Sequence, residues 1–214
     1  MVRIKAIYRA HGIRTPGTAV YQEKHREQWL QRLTAAGSRQ RVSWLYEELD
    51  HLRPLRKQAK MAMIAEGRKH QAFRLLRPIP QLGPVRCALL VATVDTPYRF
   101  RTKRQLWAYS GLAVVTYMSS EYEIKDGRVV RSRKPLATRG LNQNCNRRLK
   151  ELFISAAVTG SRREPYLSYI EGLEKKGIRA EMARLTLARK IAAVALRVWK
   201  KGEKFDPKKL NSKT

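Results

Sequence analysis

Ser119 and Ser120 follow an apolar, β-branched run, Leu112–Met118, and cations surround them in sequence: Arg99, Arg101, Arg131, Arg133, Lys134 and Arg139. That combination fits one kind of chemistry. Guanidinium groups beside a hydroxyl bind a phosphate and stabilise the charge that builds on it in a transition state. A serine oxygen that attacks a phosphodiester forms a covalent phosphoserine intermediate and needs no metal of its own. Serines at a turn commonly do no more than close it, so the residues by themselves leave a catalytic and a structural role open.

Other chemistries find less in the chain. Two-metal nucleases need clustered carboxylates. The 17 Asp and Glu are scattered, most of them beside Lys or Arg, and none sits at a strand end in a ribonuclease-H-like pattern. Walker and dinucleotide-binding glycine patterns are absent. Cys87 and Cys145 are too few and too far apart for a zinc site or a disulfide framework. His11, His25, His51 and His70 share no metal spacing. No metal ligand or cofactor is assigned to this chain.

The charge balance names the partner class. The chain has 214 residues, 46 Lys and Arg against 17 Asp and Glu, and a formal charge of +29, with a pI near 10.9. Such a field repels itself unless a polyanion neutralises it, and nucleic acid is the first choice. No apolar run is long enough to span a membrane, and Met1–Ala10 is too basic and too short in apolar residues for a secretory signal.

Residues 77–88 organise the elements that would hold such a site. Pro78, Pro80 and Pro84 stop a helix from running through, Ile79 and Leu82 anchor a tight turn, and Gly83 is read as the position free for positive φ or a close backbone approach. Helix Ala72–Arg77, turn, helix Pro84–Val94 is the layout of a helix-hairpin-helix, which offers the N–H groups of a helix start to a phosphate. A corner that only packs the core has the same layout.

Upstream, Arg3–Arg9 is a short strand or helix, Gln22–Ala36 is a helix ended by Gly37, and Ser38 caps the next one. From there Val42, Leu45, Leu49, Leu52, Leu55, Ala59 and Ala62 approach a coiled-coil seam, with Pro54 expected to kink or end it. The seam serves either a helix pair within its own domain or a dimerising arm. Downstream, Thr102-Lys103-Arg104-Gln105 is a capping box opening a helix to Ser110, with Lys103 and Arg104 exposed at its start. Asp126-Gly127 marks a hairpin, 131–140 is a basic loop, and Asn142–Val158 is a helix with Arg147 and Arg148 near its beginning. Helices Tyr166–Lys176 and Ala180–Lys201 follow, ended by Gly177 and Gly202. The expected fold is mostly α: a helical, coiled-coil-like arm, then a helical domain with a helix-hairpin-helix-like turn and one β-hairpin. The divisions are a linker and arm over 1–69, a domain over 70–206 and a basic tail over 207–214.

Residues 70–206 resemble the C-terminal domain of the insertion sequence 110 transposases (the 116/110/902 group). Ile79-Pro80-Gln81-Leu82-Gly83 is similar to the family's Ile-Pro-Gly-Ile-Gly, with Gln81 in place of the first glycine. Arg99-Phe100 with Leu106-Trp107-Ala108-Tyr109-Ser110-Gly111-Leu112 resembles its Arg-Phe and Gly-Leu run. Ser119-Ser120 falls where the family has serine then glycine, and Lys134, Gly140 and Arg147-Arg148-Leu149 resemble its Lys-x-Gly and Leu-Arg stretches.

The resemblance implies DNA transposition, with a nucleophilic serine in this domain. Counted from Gly111-Leu112 without a gap that serine is Ser119, and Ser120 if the loop is one residue longer. It also implies a guide RNA, subunits joined through the arm, and a place in the bacterial cytoplasm at the nucleoid. Charge and position in the chain give the candidate DNA contacts: Gly83, Arg99, Arg101, Lys103, Arg104, Arg131, Arg133, Lys134, Arg139, Arg147 and Arg148. In the family an N-terminal RuvC-like domain holds metal on four acidic residues. No such domain precedes the arm here, so a truncated transposase or a fragment is expected, with Mg²⁺ entering only through that domain. The rival reading is a nucleic-acid-binding module without chemistry, and a fainter one is a basic structural protein of ribosomal type.

Overall fold

The structure, a computed structural model, describes residues 1–117, 122–131 and 137–207. It is mostly helical, with two short antiparallel ladders among the described residues. The chain packs as two units, Met1–Ala62 and Met63–Thr214.

In the first unit, α1 (Val2–Ala10) and α2 (Arg26–Gln31) close on the start of α3 (Ala36–Lys69). The core is Ile4, Tyr8, Val20, Tyr21, Trp29, Leu33, Val42 and Tyr46. Tyr8 meets Trp29 edge-on at 5.6 Å between ring centres, and the Tyr46 hydroxyl donates to the Val20 carbonyl at 2.8 Å. The helix expected over 22–36 is instead one 3₁₀ turn (Glu23–His25) and the short α2. The break after Gln31 lets Trp29 and Leu33 bury in the same core as Val42 and Tyr46. Gly37 and Ser38 therefore lie inside α3, and the Ser38 hydroxyl meets His11 Nε2 at 2.8 Å instead of capping.

Pro54 does not end α3, which continues to Lys69. Residues 51–60 are exposed throughout, so water can satisfy the carbonyl that proline leaves without a helical donor. Along the seam Val42 is buried and Leu45 and Leu49 are half-buried, whereas Leu52, Leu55, Ala59 and Ala62 are exposed.

The second unit begins within α3. Gly67 lies so close to α5 (Pro84–Val94) that an added Cβ would stand 2.9 Å from the Ala88 Cβ. Around the buried helix α9 (Ala180–Lys201) pack α4 (Gln71–Leu76), α6 (Lys103–Tyr109), α7 (Arg147–Gly160) and α8 (Tyr166–Glu174). Ile191–Leu196 are all buried, the pattern of a helix covered on every side. No helix among the described residues is long and apolar enough to cross a membrane.

The hairpin appears where Asp126-Gly127 put it: β2 (Tyr122–Lys125) pairs with β3 (Arg128–Arg131), and both turn residues take positive φ. The stretch read as a basic loop is partly strand. β1 (Val114–Tyr117) pairs antiparallel with β4 (Ala137–Leu141), Val114 opposite Leu141 and Thr116 opposite Thr138. β4 thus carries one residue more than β1 there, and Gly140, at φ 96°, falls in that bulge.

Candidate nucleic-acid interface

The α4–α5 turn is held from several sides. Ile79 and Leu82 are buried. Arg86 donates to the Gln81 carbonyl at 2.8 Å and to the Ser155 hydroxyl at 3.1 Å. The Cys87 thiol donates to the Leu82 carbonyl at 3.0 Å, and burial pushes it up to about 11. The expectation for Gly83 is corrected: it caps α5 with φ −62°, an ordinary conformation, and a Cβ there would meet nothing within 4 Å. The left-handed residue is Gln81, at φ 67°, because the turn folds back one step earlier. A glycine is thus demanded where this chain has none.

The expected basic residues separate into distinct places. Arg99 sits beyond the C-terminal end of α5, a helix about 16 Å long, so it and Gly83 lie at opposite ends. Its guanidinium donates to the Thr93 and Val94 carbonyls at 3.3 and 3.2 Å. A cation is favoured there, where the helix ends with carbonyls lacking helical partners. The same group lies 5.3 Å from the centre of the Tyr109 ring.

Tyr109 in turn ties α6 to α7. Its carbonyl accepts from the Asn146 N–H at 2.8 Å, and its hydroxyl accepts from Asn146 Nδ2 at 3.5 Å. Asn146 first and Arg99 second hold the Tyr109 phenol below its usual value. Asn146 also caps α7, its side chain accepting from the Leu149 N–H at 3.1 Å. This is why α7 starts at Arg147 and not at Asn142. The Asn142 N–H goes instead to the Ala113 carbonyl at 3.0 Å, and its Nδ2 to the Ala108 carbonyl at 3.3 Å. Arg99, Tyr109, Asn146 and the start of α7 are thereby brought together.

Arg147 and Arg148 are exposed, and the first turn of α7 holds no acidic residue. Arg101 and Arg104 are also exposed, and Lys103 lies over the Trp107 ring at 5.7 Å. The capping box is present in both directions between Thr102 and Gln105. Sequence reasoning missed Tyr109 and Asn146. The signal for them was the asparagine run Asn142, Asn144, Asn146 ahead of two arginines, a pattern suited to turns and helix caps.

Ser119, Ser120, Arg133 and Lys134 lie outside the described residues. Arg131 and Arg139 fall in β3 and β4, with their side chains outside the description. Sequence alone relates them: Ser119 comes two residues after Tyr117, and Lys134 three before Ala137, the pair that ends the β1–β4 ladder.

Among the described residues no three His, Cys, Asp or Glu side chains gather to hold a metal ion. Residues 73–170 match the model of the Transposase IS116/IS110/IS902 family. No curated protein matches the chain.

Proposed function

We propose that this chain, whose residues 73–170 form a transposase domain of that family, binds DNA through the exposed cations of its second unit and uses Ser119 to cut and join strands. The observation that carries the binding is the start of α7. Two arginines stand at the positive end of a helix whose first turn has no acid, an arrangement that is unfavourable until an anion neutralises it. Arg101 and Arg104 add exposed charge. The match through position 119 and the cations near it in sequence support the chemistry.

In the cleavage step the serine oxygen attacks phosphorus. The Oγ–P bond forms as the bond to one sugar oxygen breaks; the serine gives up a proton to solvent and the leaving sugar oxygen takes one back. Attack by a sugar hydroxyl on the phosphoserine reverses the balance and joins the strands. The exposed Leu52, Leu55, Ala59 and Ala62 support self-association through α3. A guide RNA and a place at the nucleoid belong to the same reading.

The test is a covalent trap. The full chain, with an intact RuvC-like domain supplied in trans, is incubated with nicked element-end DNA. A protein–DNA adduct that disappears in Ser119→Ala is the expected result. An adduct lost only in Ser120→Ala moves the nucleophile by one residue, and no adduct with any serine intact leaves a binding module without chemistry.

A further inference from the structure

A second cluster of cations lies in the first unit, outside residues 73–170. Lys5 and Arg9 on α1, Arg14 and Thr15 on the loop after it, and Arg32 just past α2 line an open groove of about 950 Å³ with Pro16 and Trp29. No carboxylate is among these lining residues.

The groove is built on a fixed frame. Ile4 and Tyr8 anchor α1 in the core at 1% and 0% exposure. Gly12 and Gly17, at φ 71° and 56°, let the following loop fold back. The Ile13 N–H reaches the Tyr8 carbonyl at 2.9 Å, and Lys5 Nζ donates to the Gly17 carbonyl at 2.5 Å. Like charges held together this way repel one another until a polyanion enters.

The aromatic in the groove shows which form of polyanion fits. Unpaired bases are held by stacking on open ring faces. Trp29 is 7% exposed, and the Arg32 guanidinium covers its ring at 4.3 Å. The groove offers charge and a threonine hydroxyl but no stacking platform. We propose that it holds the sugar–phosphate backbone of a nucleic-acid duplex, a second binding site independent of the serine and of α7.

The experiment is fluorescence anisotropy of the full chain with a labelled DNA duplex, an RNA duplex and a single strand of equal length, over a salt series. Each phosphate contact contributes a slope of about 0.9 in log affinity against log salt. Arg9→Gln/Arg14→Gln is expected to lower duplex affinity about tenfold near 0.1 M salt and to flatten that slope by about two, with the thermal melt unchanged. Adding Arg32→Gln flattens it by about three. A response with both duplexes marks the shared backbone, and a response with one names the source. Unchanged slopes for every duplex, or a loss confined to the single strand, overturn the proposal. Arg147→Gln/Arg148→Gln separates the two sites. A loss in that variant alone overturns the groove and leaves the α7 reading standing, whereas a loss in the groove variants alone does the reverse.

Discussion

The two long helices are opposites. α9 is covered through its middle, with Ala188 and Lys190 to Leu196 all buried. The middle of α3, residues 51–60, has no buried residue. Propensity favours α9, which has neither Pro nor Gly, over α3, which carries Pro54 in that stretch. The neighbours differ as well. α9 draws its stability from α4, α6, α7 and α8 packed around it, while α3 over residues 54–62 carries apolar side chains with nothing of its own unit over them. Where cover ends, polar contacts take over. Arg26 binds the Asp50 carboxylate with both terminal guanidinium nitrogens, at 2.5 and 2.6 Å, and Arg53 donates to the Tyr21 carbonyl at 2.8 Å.

The contrast makes graded predictions. Leu187→Ala in α9, at 0% exposure, is expected to cost about 2–5 kcal/mol by urea unfolding. Leu55→Ala in α3, at 58% exposure, is expected to stay within about 0.5 kcal/mol at concentrations where the chain is monomeric. Equal losses would break the comparison. Next in size, Leu52→Glu/Leu55→Glu is expected to weaken self-association at least tenfold in sedimentation, about 1.4 kcal/mol, with the urea midpoint of the monomer unchanged.

A smaller gain is expected at Gln81, held at φ 67°. Gln81→Gly removes left-handed strain and should stabilise the second unit by up to about 1 kcal/mol, read as a raised melting temperature. The smallest effect belongs to the covered end of α3. The hydrogen bonds from Arg26 hold the Asp50 carboxyl below its ordinary value. A carboxyl shifted down contributes stability above its unfolded pKa, near 4, and loses it as pH falls through the lower folded value. Asp50 is 46% exposed, so Asp50→Asn should cost less than about 1 kcal/mol at pH 7. Its deficit against the parent should shrink as pH is lowered below about 4, a trend that paired urea titrations will read.

Local signals in the sequence were legible and long-range ones were not. Thr102 with Gln105, Asp126-Gly127, and the glycines at 111, 177 and 202 mark boundaries because the bonds they make or the φ they adopt are set within a few residues. The start of α7 was placed too early because a tertiary bond, Asn146 N–H to the Tyr109 carbonyl, decides it. β4 was missed because its partner β1 lies far back in the chain. At the candidate site, Arg147 and Arg148 are exposed at a helix start. Arg99 is exposed as well, and its guanidinium also closes α5 and lies over the Tyr109 ring. Nothing near Arg99 in sequence announces those partners.

The central claim is that a serine of residues 73–170 becomes joined to DNA. Mass spectrometry of the trapped, nuclease-trimmed and protease-digested adduct tests it most directly. The account predicts a nucleotide phosphate on the peptide spanning Ser119 and Ser120, with fragment ions placing it on Ser119. A phosphate carried by a residue outside that peptide, or an unmodified peptide from a reaction in which strands were cut and joined, would contradict it.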